Sequence, residues 1–430
     1  MKASKSTYLA TQTRLLLFVP ALALGMATFS GCTQKKVRAA GTVKTTEETA
    51  SLDIPPLFAR TGELAKAPDW TKTQEKVNEL MLKIDKDPRD IKSRLKLVTI
   101  YLAEARITGE HPYYYPAVLK ITDGILSMEP QNFEALTYKS SVLMSQHRFA
   151  DAKRVAESAK KINPDNAYIY GVLVDANVEL GNYEEAIRMS DIMQGLKPSL
   201  ESYSRASYLR EIYGDYPGSI QAMVMAVQAG LPGSEPYCWS KKTLGYLYEQ
   251  TGDLKRAERQ YLEILEERPS YAFALEGLAR IEKSRKNYDQ ALKYLDEAAA
   301  IMPEVSFHEE MADIYARQGL KEKSEAKFAE VVEMLKTDEA SGHIVYLDLA
   351  KFYLKFGRYD EALAYGQKEY DARPDNIDVC RAMAEIYFRK NELDKANQML
   401  TSATRTGCKN PELLILSKEI KNASGTLAAN

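Results

Sequence analysis

The spacing of the prolines constrains this chain more than any other feature. Prolines recur at intervals of about 34 residues, and slightly longer intervals near the end, at Pro130, Pro164, Pro198, Pro232, then Pro269, Pro303, then Pro374, Pro411. A fixed period in this range is typical of an array of helix pairs, in which each pair leaves an apolar face for the next to cover. The sequence therefore predicts an all-helical chain after residue 70, without a sheet, and paired helices from about residue 89 to 420.

The residues between the prolines repeat as well. The segment from Pro232 to Pro269 shows the pattern in full: Trp239, Leu244, Gly245, Tyr246, Gly252, Ala257 and Tyr261. This order of aromatic, Leu-Gly, aromatic, turn Gly, Ala, aromatic and Pro resembles the tetratricopeptide repeat family. The resemblance covers roughly residues 88–411, with eight segments in register. It implies an all-α fold, a right-handed superhelical solenoid of tetratricopeptide helix pairs.

The residue types at several positions of the repeat have a physical explanation. Turn residues such as Gly181, Gly252, Gly319 and Gly357 supply the positive φ that ends a first helix. Small residues at Gly245 and Ala257 let two helix backbones approach closely. We therefore expect a leucine at either of these two positions to force a helix pair apart.

The array departs from the pattern in three places. Thr337 stands where the period predicts a proline, and His147 and Lys286 replace the turn glycine, which predicts looser turns. The spacing from Pro88 to Pro130 is longer than the period and includes the segment 111–116, which we interpret as a lengthened loop between the helices of a degenerate repeat.

These signals divide the chain into five parts. A signal peptide covers 1–31, and a lipid-anchored flexible linker covers 32–70. A capping helix and the degenerate repeat cover 71–129, and about eight tandem repeats cover 130–410. A C-terminal capping helix and a frayed tail, predicted from Ser424 onward, cover 411–430.

The N-terminal segment 1–32 predicts the compartment. A basic start and the apolar run 15–24 are typical of a signal peptide, and no other segment approaches the roughly 20 apolar residues of a membrane span. Ser30-Gly31-Cys32 resembles the bacterial lipobox, which implies that Cys32 is lipidated; ordinary secretory cleavage nearby is the alternative. Thr33 is not the Asp that retains enteric lipoproteins, so we expect a protein of the cell envelope on the outer membrane, facing the periplasm.

Composition and motifs give no sign of catalysis. The balance of 58 basic and 60 acidic residues gives no drive toward nucleic acid. The four histidines lack metal-ligand spacing, and there is no nucleophile elbow or phosphate loop. We therefore expect no enzyme activity, cofactor, metal or small-molecule substrate. Cys380 and Cys408 flank the last helix pair, which leaves a disulfide open beside the alternative of buried thiols.

The resemblance also implies where a partner binds. In this family the first helix of each pair lines a concave groove that receives an extended segment or helix of another protein. The groove residues implied here are Tyr168, Asp175, Tyr208, Trp239, Lys242, Tyr246, Arg280, Lys283, Arg317, Lys351, Lys355, Arg381 and Arg389. The groove is expected to be acidic at its start and mildly basic further on. The predicted function is a non-catalytic envelope scaffold for secretion, pilus or export assembly; the alternative is a glycan- or peptide-binding component of an uptake system.

Overall fold

The structure is a computed structural model that describes residues 54–62, 64–67 and 69–428. These residues form twenty α-helices and one short 3₁₀ helix, Leu64–Lys66, and contain no strand. The predicted all-α fold is confirmed. The predicted signal peptide and Cys32 lie outside the described residues.

The α-helices follow one another with short connections. They are α1 (Trp70–Lys86), α2 (Ile91–Thr108), α3 (His111–Met128), α4 (Phe133–Ser145), α5 (Phe149–Ile162), α6 (Ala167–Glu179), α7 (Tyr183–Leu196), α8 (Leu200–Ile212), α9 (Tyr216–Ala229), α10 (Glu235–Gln250), α11 (Leu254–Glu267), α12 (Ala272–Ser284), α13 (Tyr288–Ile301), α14 (Val305–Arg317), α15 (Lys321–Ala340), α16 (Tyr346–Lys355), α17 (Tyr359–Ala372), α18 (Ile377–Arg389), α19 (Leu393–Ala403) and α20 (Pro411–Ala428).

Helices α4 to α19 pack as eight pairs, the number that the sequence predicts. The two helices of a pair make the most extensive contacts, and the second helix of each pair then packs against the first helix of the next. First helices also touch one another, for example α4 with α6 and α16 with α18. The first helices therefore form one continuous wall of the solenoid, as stacked repeats require.

Each first helix ends at a residue in the left-handed region. Glycine holds this position in five of the eight pairs, and the other three pairs use His147 (φ 57°), Lys286 (φ 65°) and Asn391 (φ 62°). The predicted looser turns at His147 and Lys286 are wrong. The amide of Arg148 still donates to the carbonyl of Leu143 at 2.9 Å, as an equivalent amide does in the glycine turns. Packing of the pair outweighs the cost of about 1 kcal/mol for a non-glycine residue there.

Three predicted boundaries differ from the structure. The segment 111–116 is the start of α3 and not a loop; Pro112 sits in the first turn, where a missing N–H costs nothing. No proline stands at Thr337, so α15 continues to Ala340 and is 20 residues long. The predicted frayed tail is helical to Ala428, the end of α20.

One repeat shows directly why small residues are needed. The ring of Tyr261 lies between the backbones of α10 and α12. A Cβ added to Gly245 would lie 2.7 Å from this ring, and one added to Gly277 would lie 2.6 Å from it. Real Cβ atoms do not approach so closely, so both glycines admit the tyrosine to the core, and the predicted register of this repeat is supported at Gly245.

The superhelix contacts itself after one turn. Residues 194 to 197 positions apart meet along a line that we call the seam, at Gly109–Pro303, His147–Ile344, Glu179–Arg373 and Ile212–Thr406. The amide of Ile344 also donates to the carbonyl of Gln146 at 2.9 Å, and the hydroxyl of Thr406 donates to the carbonyl of Ile212 at 2.8 Å. One turn therefore takes just under six repeats of about 34 residues each.

The seam adds a second constraint on the glycine turns. A Cβ on Gly181 would lie 2.2 Å from the carbonyl oxygen of Asp375, and one on Gly214 would lie 2.5 Å from that of Gly407. These positions therefore need glycine both for the left-handed backbone and for the approach of the next turn.

The last part of the predicted linker is packed against the array. Residues 54–60 lie extended against α2 and α3, with Ile54 and Arg60 buried. The packed part of the chain thus begins before α1.

The cysteines carry no disulfide within the described residues. Cys238 and Cys380 are buried free thiols, and Cys408 is a half-buried free thiol. The disulfide that the sequence left open between Cys380 and Cys408 is therefore not formed. None of the described helices is long and apolar enough to cross a membrane.

Candidate partner-binding face

The first helices surround a narrow central space, which we call the lumen. With just under six repeats per turn and about 9 Å between neighbouring helix axes, the axes lie roughly 9 Å from the superhelix axis. Subtracting a helix radius of about 5 Å leaves a lumen about 8 Å wide, which is narrower than the roughly 10–12 Å diameter of an α-helix. Because the seam joins successive turns and closes the side of the superhelix, a partner reaches the lumen along the superhelix axis.

Charges on different helices of the wall act on one another across this short distance. Burial raises the pKa of Tyr208 on α8 well above its usual value, and the carboxylates of Glu179 on α6 and Asp378 on α18 raise it further. The predicted groove residue Tyr208 thus faces groups from both turns of the superhelix.

The acidic start of the predicted groove is paired internally. The carboxylate of Asp175 receives two hydrogen bonds from the guanidinium of Arg205, at 2.9 and 2.6 Å, and both side chains are buried. Burial raises the pKa of Asp175 to about 6, although Arg205 lowers it. The hydroxyl of Tyr168 lies 2.7 Å from that of Ser141. Arg205 was not predicted; it lies one repeat after Gly171, whose missing side chain leaves room for the guanidinium.

The predicted basic run is also paired. Lys283 is held by Glu310 and, at 3.0 Å, by Asp313. Asp313 also accepts from Arg317 at 2.9 Å and lies 3.9 Å from Lys355. Burial favours the neutral form of Asp313, but the three cations that converge on it outweigh burial and hold its pKa well below the usual range.

The remaining predicted arginines are paired by neighbouring helices. Arg280 is buried and donates to a glutamate of α10 at 2.9 Å. Arg381 lies 3.2 Å from Glu412, and Arg389 lies 3.6 Å from Glu419. The last two acids belong to the capping helix α20. The sequence predicts only a capping role for α20, whereas in the structure α20 also supplies acids that pair with wall arginines.

Three predicted residues on α10 differ in exposure. Tyr246 is buried and belongs largely to the core. Trp239 is half-buried and packs against a neighbouring apolar cluster, and the ammonium of Lys242 lies 5.7 Å from the centre of the Phe273 ring. A partner would therefore meet Trp239 and Lys242 before it met Tyr246.

Two half-buried ionisable groups of the wall, Lys351 on α16 and Glu309 on α14, make no hydrogen bond or ion pair with the described residues. Burial lowers the pKa of Lys351, opposed by Asp378, and burial raises the pKa of Glu309 to about 8. Both positions therefore keep unused hydrogen-bonding capacity within the part of the chain that the structure describes. No group of three or more His, Cys, Asp or Glu in that same part is arranged to hold a metal ion.

The stacked pairs, the turn geometry and the continuous wall of first helices define a helical-repeat solenoid. Two family profiles, both described as tetratricopeptide repeat, match this chain. One covers residues 143–191 and 353–418, and the other covers 242–306 and 309–377, so that together they span more than half of the sequence. The chain belongs to the tetratricopeptide repeat family, whose members bind other proteins or peptides.

Solved structures to which this chain is similar include a chain of a hetero-tetramer and the proteins PilF and PilW. The chain is 14% identical to a chain of the APC/C hetero-tetramer Cut9–Hcn1, covering 83% of itself and 60% of that chain, with a TM-score of 0.43. This chain is 12% identical to Pseudomonas aeruginosa PilF, and the match covers 48% of this chain and 93% of PilF with a TM-score of 0.38. It is 17% identical to the type IV pilus biogenesis factor PilW, and that match covers 46% of this chain and 91% of PilW with a TM-score of 0.39. No curated protein matches the sequence.

Proposed function

We propose that the chain is a non-catalytic scaffold of the bacterial cell envelope, lipid-anchored through Cys32, that binds a partner protein along the wall of the lumen. The observation that supports this best is the wall itself: its ion pairs fix the shape, while Lys351 and Glu309 are left without partners among the described residues. A peptide backbone offers a carbonyl for the ammonium of Lys351, and it offers both an amide and a carbonyl for the protonated carboxyl group of Glu309.

The partner segment is an extended chain and not a helix. A lumen about 8 Å wide excludes an α-helix of roughly 10–12 Å but admits a backbone with small side chains. Tyr168 and Tyr208 lie on α6 and α8 of the wall and provide aromatic surfaces of the kind that dominates binding hot spots.

Site-specific photo-crosslinking tests this proposal. A photoreactive phenylalanine is placed at Tyr168 or Tyr208 in the lumen, and at Tyr213 as a control, whose side chain is 41% exposed and follows α8. We expect the same partner to be captured from both lumen positions and not from Tyr213. Capture from Tyr213 alone would place binding outside the lumen.

Charge reversal at Lys351 tests the same site by a second route. We expect Lys351→Glu to abolish capture at Tyr208, with helix content unchanged by circular dichroism. Lys197→Glu is the matched control, because Lys197 is exposed at the end of α7. Equal capture by both variants would show that Lys351 does not contact the partner.

Anchoring is tested separately. Cells are labelled with radioactive palmitate, and we expect label on the wild-type chain to vanish in Cys32→Ala and to persist in Cys238→Ala, a buried thiol. Membrane fractionation then tests the outer-membrane location. Label retained in Cys32→Ala would rule out this anchor and leave the lumen proposal unaffected.

A further inference from the structure

The N-terminal residues 54–60, which we call the strap, bind the first repeat as a peptide ligand would. Their backbone is held by tyrosine hydroxyls. Tyr101 donates to the carbonyl of Pro55, and Tyr113 donates to the carbonyl of Pro56 at 2.7 Å. Consecutive proline carbonyls are good acceptors for such hydroxyls, because a di-proline segment is extended and leaves its carbonyls without internal partners.

A third tyrosine completes the backbone contacts. Tyr114 accepts from the amide of Phe58 at 3.1 Å, and the ring of Phe58 lies edge-on to that of Tyr113, with 5.4 Å between centres. The strap is thus contacted at three points along its backbone by residues of α2 and α3. Aromatic-lined grooves use the same physics to recognise proline-rich segments.

The far end of the strap is anchored by charge. The guanidinium of Arg60 donates to both carboxylate oxygens of Glu104, at 2.9 and 2.6 Å, in the bidentate geometry that gives the strongest such pairs. Arg60 also reaches Asp69 at 3.2 Å and lies 4.8 Å from the centre of the Trp70 ring. Arg60 and Glu104 are 6% and 2% exposed, so this anchor is shielded from water.

Between its ends one side of the strap faces the array and the other faces solvent. Ile54 and Arg60 are buried and Pro55 and Leu57 are half-buried, whereas Pro56, Phe58 and Ala59 are exposed. Leu57 packs against the apolar cluster that includes residues of α2 and α3. Two buried anchors joined by an extended, one-sided segment are the arrangement of a short linear ligand on a pre-formed groove.

We propose that Tyr101, Glu104, Tyr113 and Tyr114, which we call the clamp, form a second peptide-binding site, distinct from the lumen. Its ligand is an extended segment with an apolar residue, two prolines and, at the fourth position after the second proline, an arginine. In the resting chain the strap fills this site in cis.

Because the strap belongs to the same chain as the clamp, a free peptide must compete with a ligand that is held at high local concentration. The short connection 61–69 gives the strap an effective concentration in the millimolar range. For the strap to fill the clamp at this concentration, its dissociation constant must be at least tenfold lower, about 100 μM or less, and a free peptide then binds at least about tenfold more weakly to the wild-type chain than to a chain with a vacant clamp. A segment from a partner displaces the strap only when it too is held at high local concentration.

Release of the strap changes the reach of the array, a consequence that rests on the anchor proposed at Cys32. Residues 54–69 join the tether when the clamp takes another ligand, which adds about 50 Å of extended chain. The clamp thereby couples peptide binding to the distance between the array and the membrane.

A charge-swap experiment tests the clamp. Fluorescein-labelled peptides with the sequence of residues 51–62, carrying either Arg or Glu at the position of Arg60, are titrated by anisotropy into the full-length chain in detergent. In Glu104→Arg the strap loses its anchor, and we expect the Glu peptide to bind at least tenfold more tightly than the Arg peptide. In Arg60→Ala the clamp keeps Glu104, and we expect the reverse preference.

The wild-type chain is the control and should bind either peptide at least tenfold more weakly than the variant that prefers it. Circular dichroism checks that each variant is folded; if Glu104→Arg does not fold, the Arg60→Ala arm decides alone. A folded variant that binds neither peptide below about 1 mM, far above the dissociation constant that a vacant clamp requires, would overturn the proposal and leave the strap as a structural cap.

Discussion

The seam makes a sharp prediction at Arg373, which joins the two turns of the superhelix. Its guanidinium donates to the carboxylate of Glu179 at 2.5 Å and to the main-chain carbonyl of Glu179 at 3.1 Å, across a full turn of the superhelix. It also pairs with Glu369 and lies 4.7 Å from the centre of the Phe149 ring. Arg373 is 5% exposed, so these bonds form away from bulk water.

Replacement by alanine leaves two buried carboxylates without their cation. Removing one partner of a buried ion pair costs about 3–5 kcal/mol, and the lost bond to the carbonyl adds about 1 kcal/mol. The matched control is Arg285→Ala. Arg285 pairs with Glu258 and Glu282 at 2.7 Å each but is exposed, so its removal should cost less than about 1 kcal/mol.

Urea unfolding followed by circular dichroism measures both variants. A solenoid without a seam is stabilised only by neighbouring repeats, whereas the seam couples repeats that are a full turn apart. We therefore expect Arg373→Ala to lower both the midpoint and the m-value, because the two turns no longer unfold together. If Arg373→Ala and Arg285→Ala differ by less than about 1 kcal/mol, the seam does not form in solution and the reasoning fails.

Two further predictions concern the core and the lumen. Gly277→Ala should lower the free energy of unfolding by about 1–3 kcal/mol, because the added Cβ overpacks against Tyr261. Gly195→Ala is the control: no atom lies within 4 Å of its added Cβ, so this variant should be neutral or gain up to about 1 kcal/mol of stability. Thermal melts that do not separate the two variants would contradict the packing. Burial raises the pKa of Glu309 to about 8 from an ordinary value near 4.5, so the wild type loses stability as pH rises between these values. Glu309→Gln removes this loss, so its stability relative to wild type should increase by about 3 kcal/mol from pH 5.5 to pH 7.5, at roughly 1.4 kcal/mol per pH unit. Denaturant titrations at these two pH values measure the increase. An increase below about 1 kcal/mol would show that Glu309 is charged in the fold.

The repeat itself was predictable from sequence because the local chemistry recurs. Prolines follow most of the second helices at a regular spacing, and a left-handed residue ends each first helix, so the pairs could be predicted from this spacing. The left-handed turns at His147 and Lys286 were not predictable from residue type, since glycine is the residue that adopts this backbone freely. There the packing of the whole pair decides the conformation.

The seam could not be predicted for a different reason. The pitch of a superhelix is the sum of small rotations between repeats, and no single residue encodes it. The partners in the lumen were missed with it: Glu412 sits in a helix that looked like a simple cap, and Arg205 is recognisable only once Gly171 is seen beside it. The sequence located the wall residues but not their pairing, because pairing depends on helices that are distant along the chain.

The closed superhelix is the central claim, since the lumen, its width and the form of the partner all depend on it. Spin labels at positions 213 and 409 test it most directly. Tyr213 and Lys409 are exposed, and Lys409 packs at 3.0 Å from where a Cβ on Gly214 would lie, across the seam. With the native cysteines replaced by serine, pulsed electron–electron double resonance measures the distance between the two labels. It should give one narrow distribution at distances shorter than the roughly 21 Å length of a four-turn helix. A broad distribution at longer distances would show an open solenoid and contradict the account.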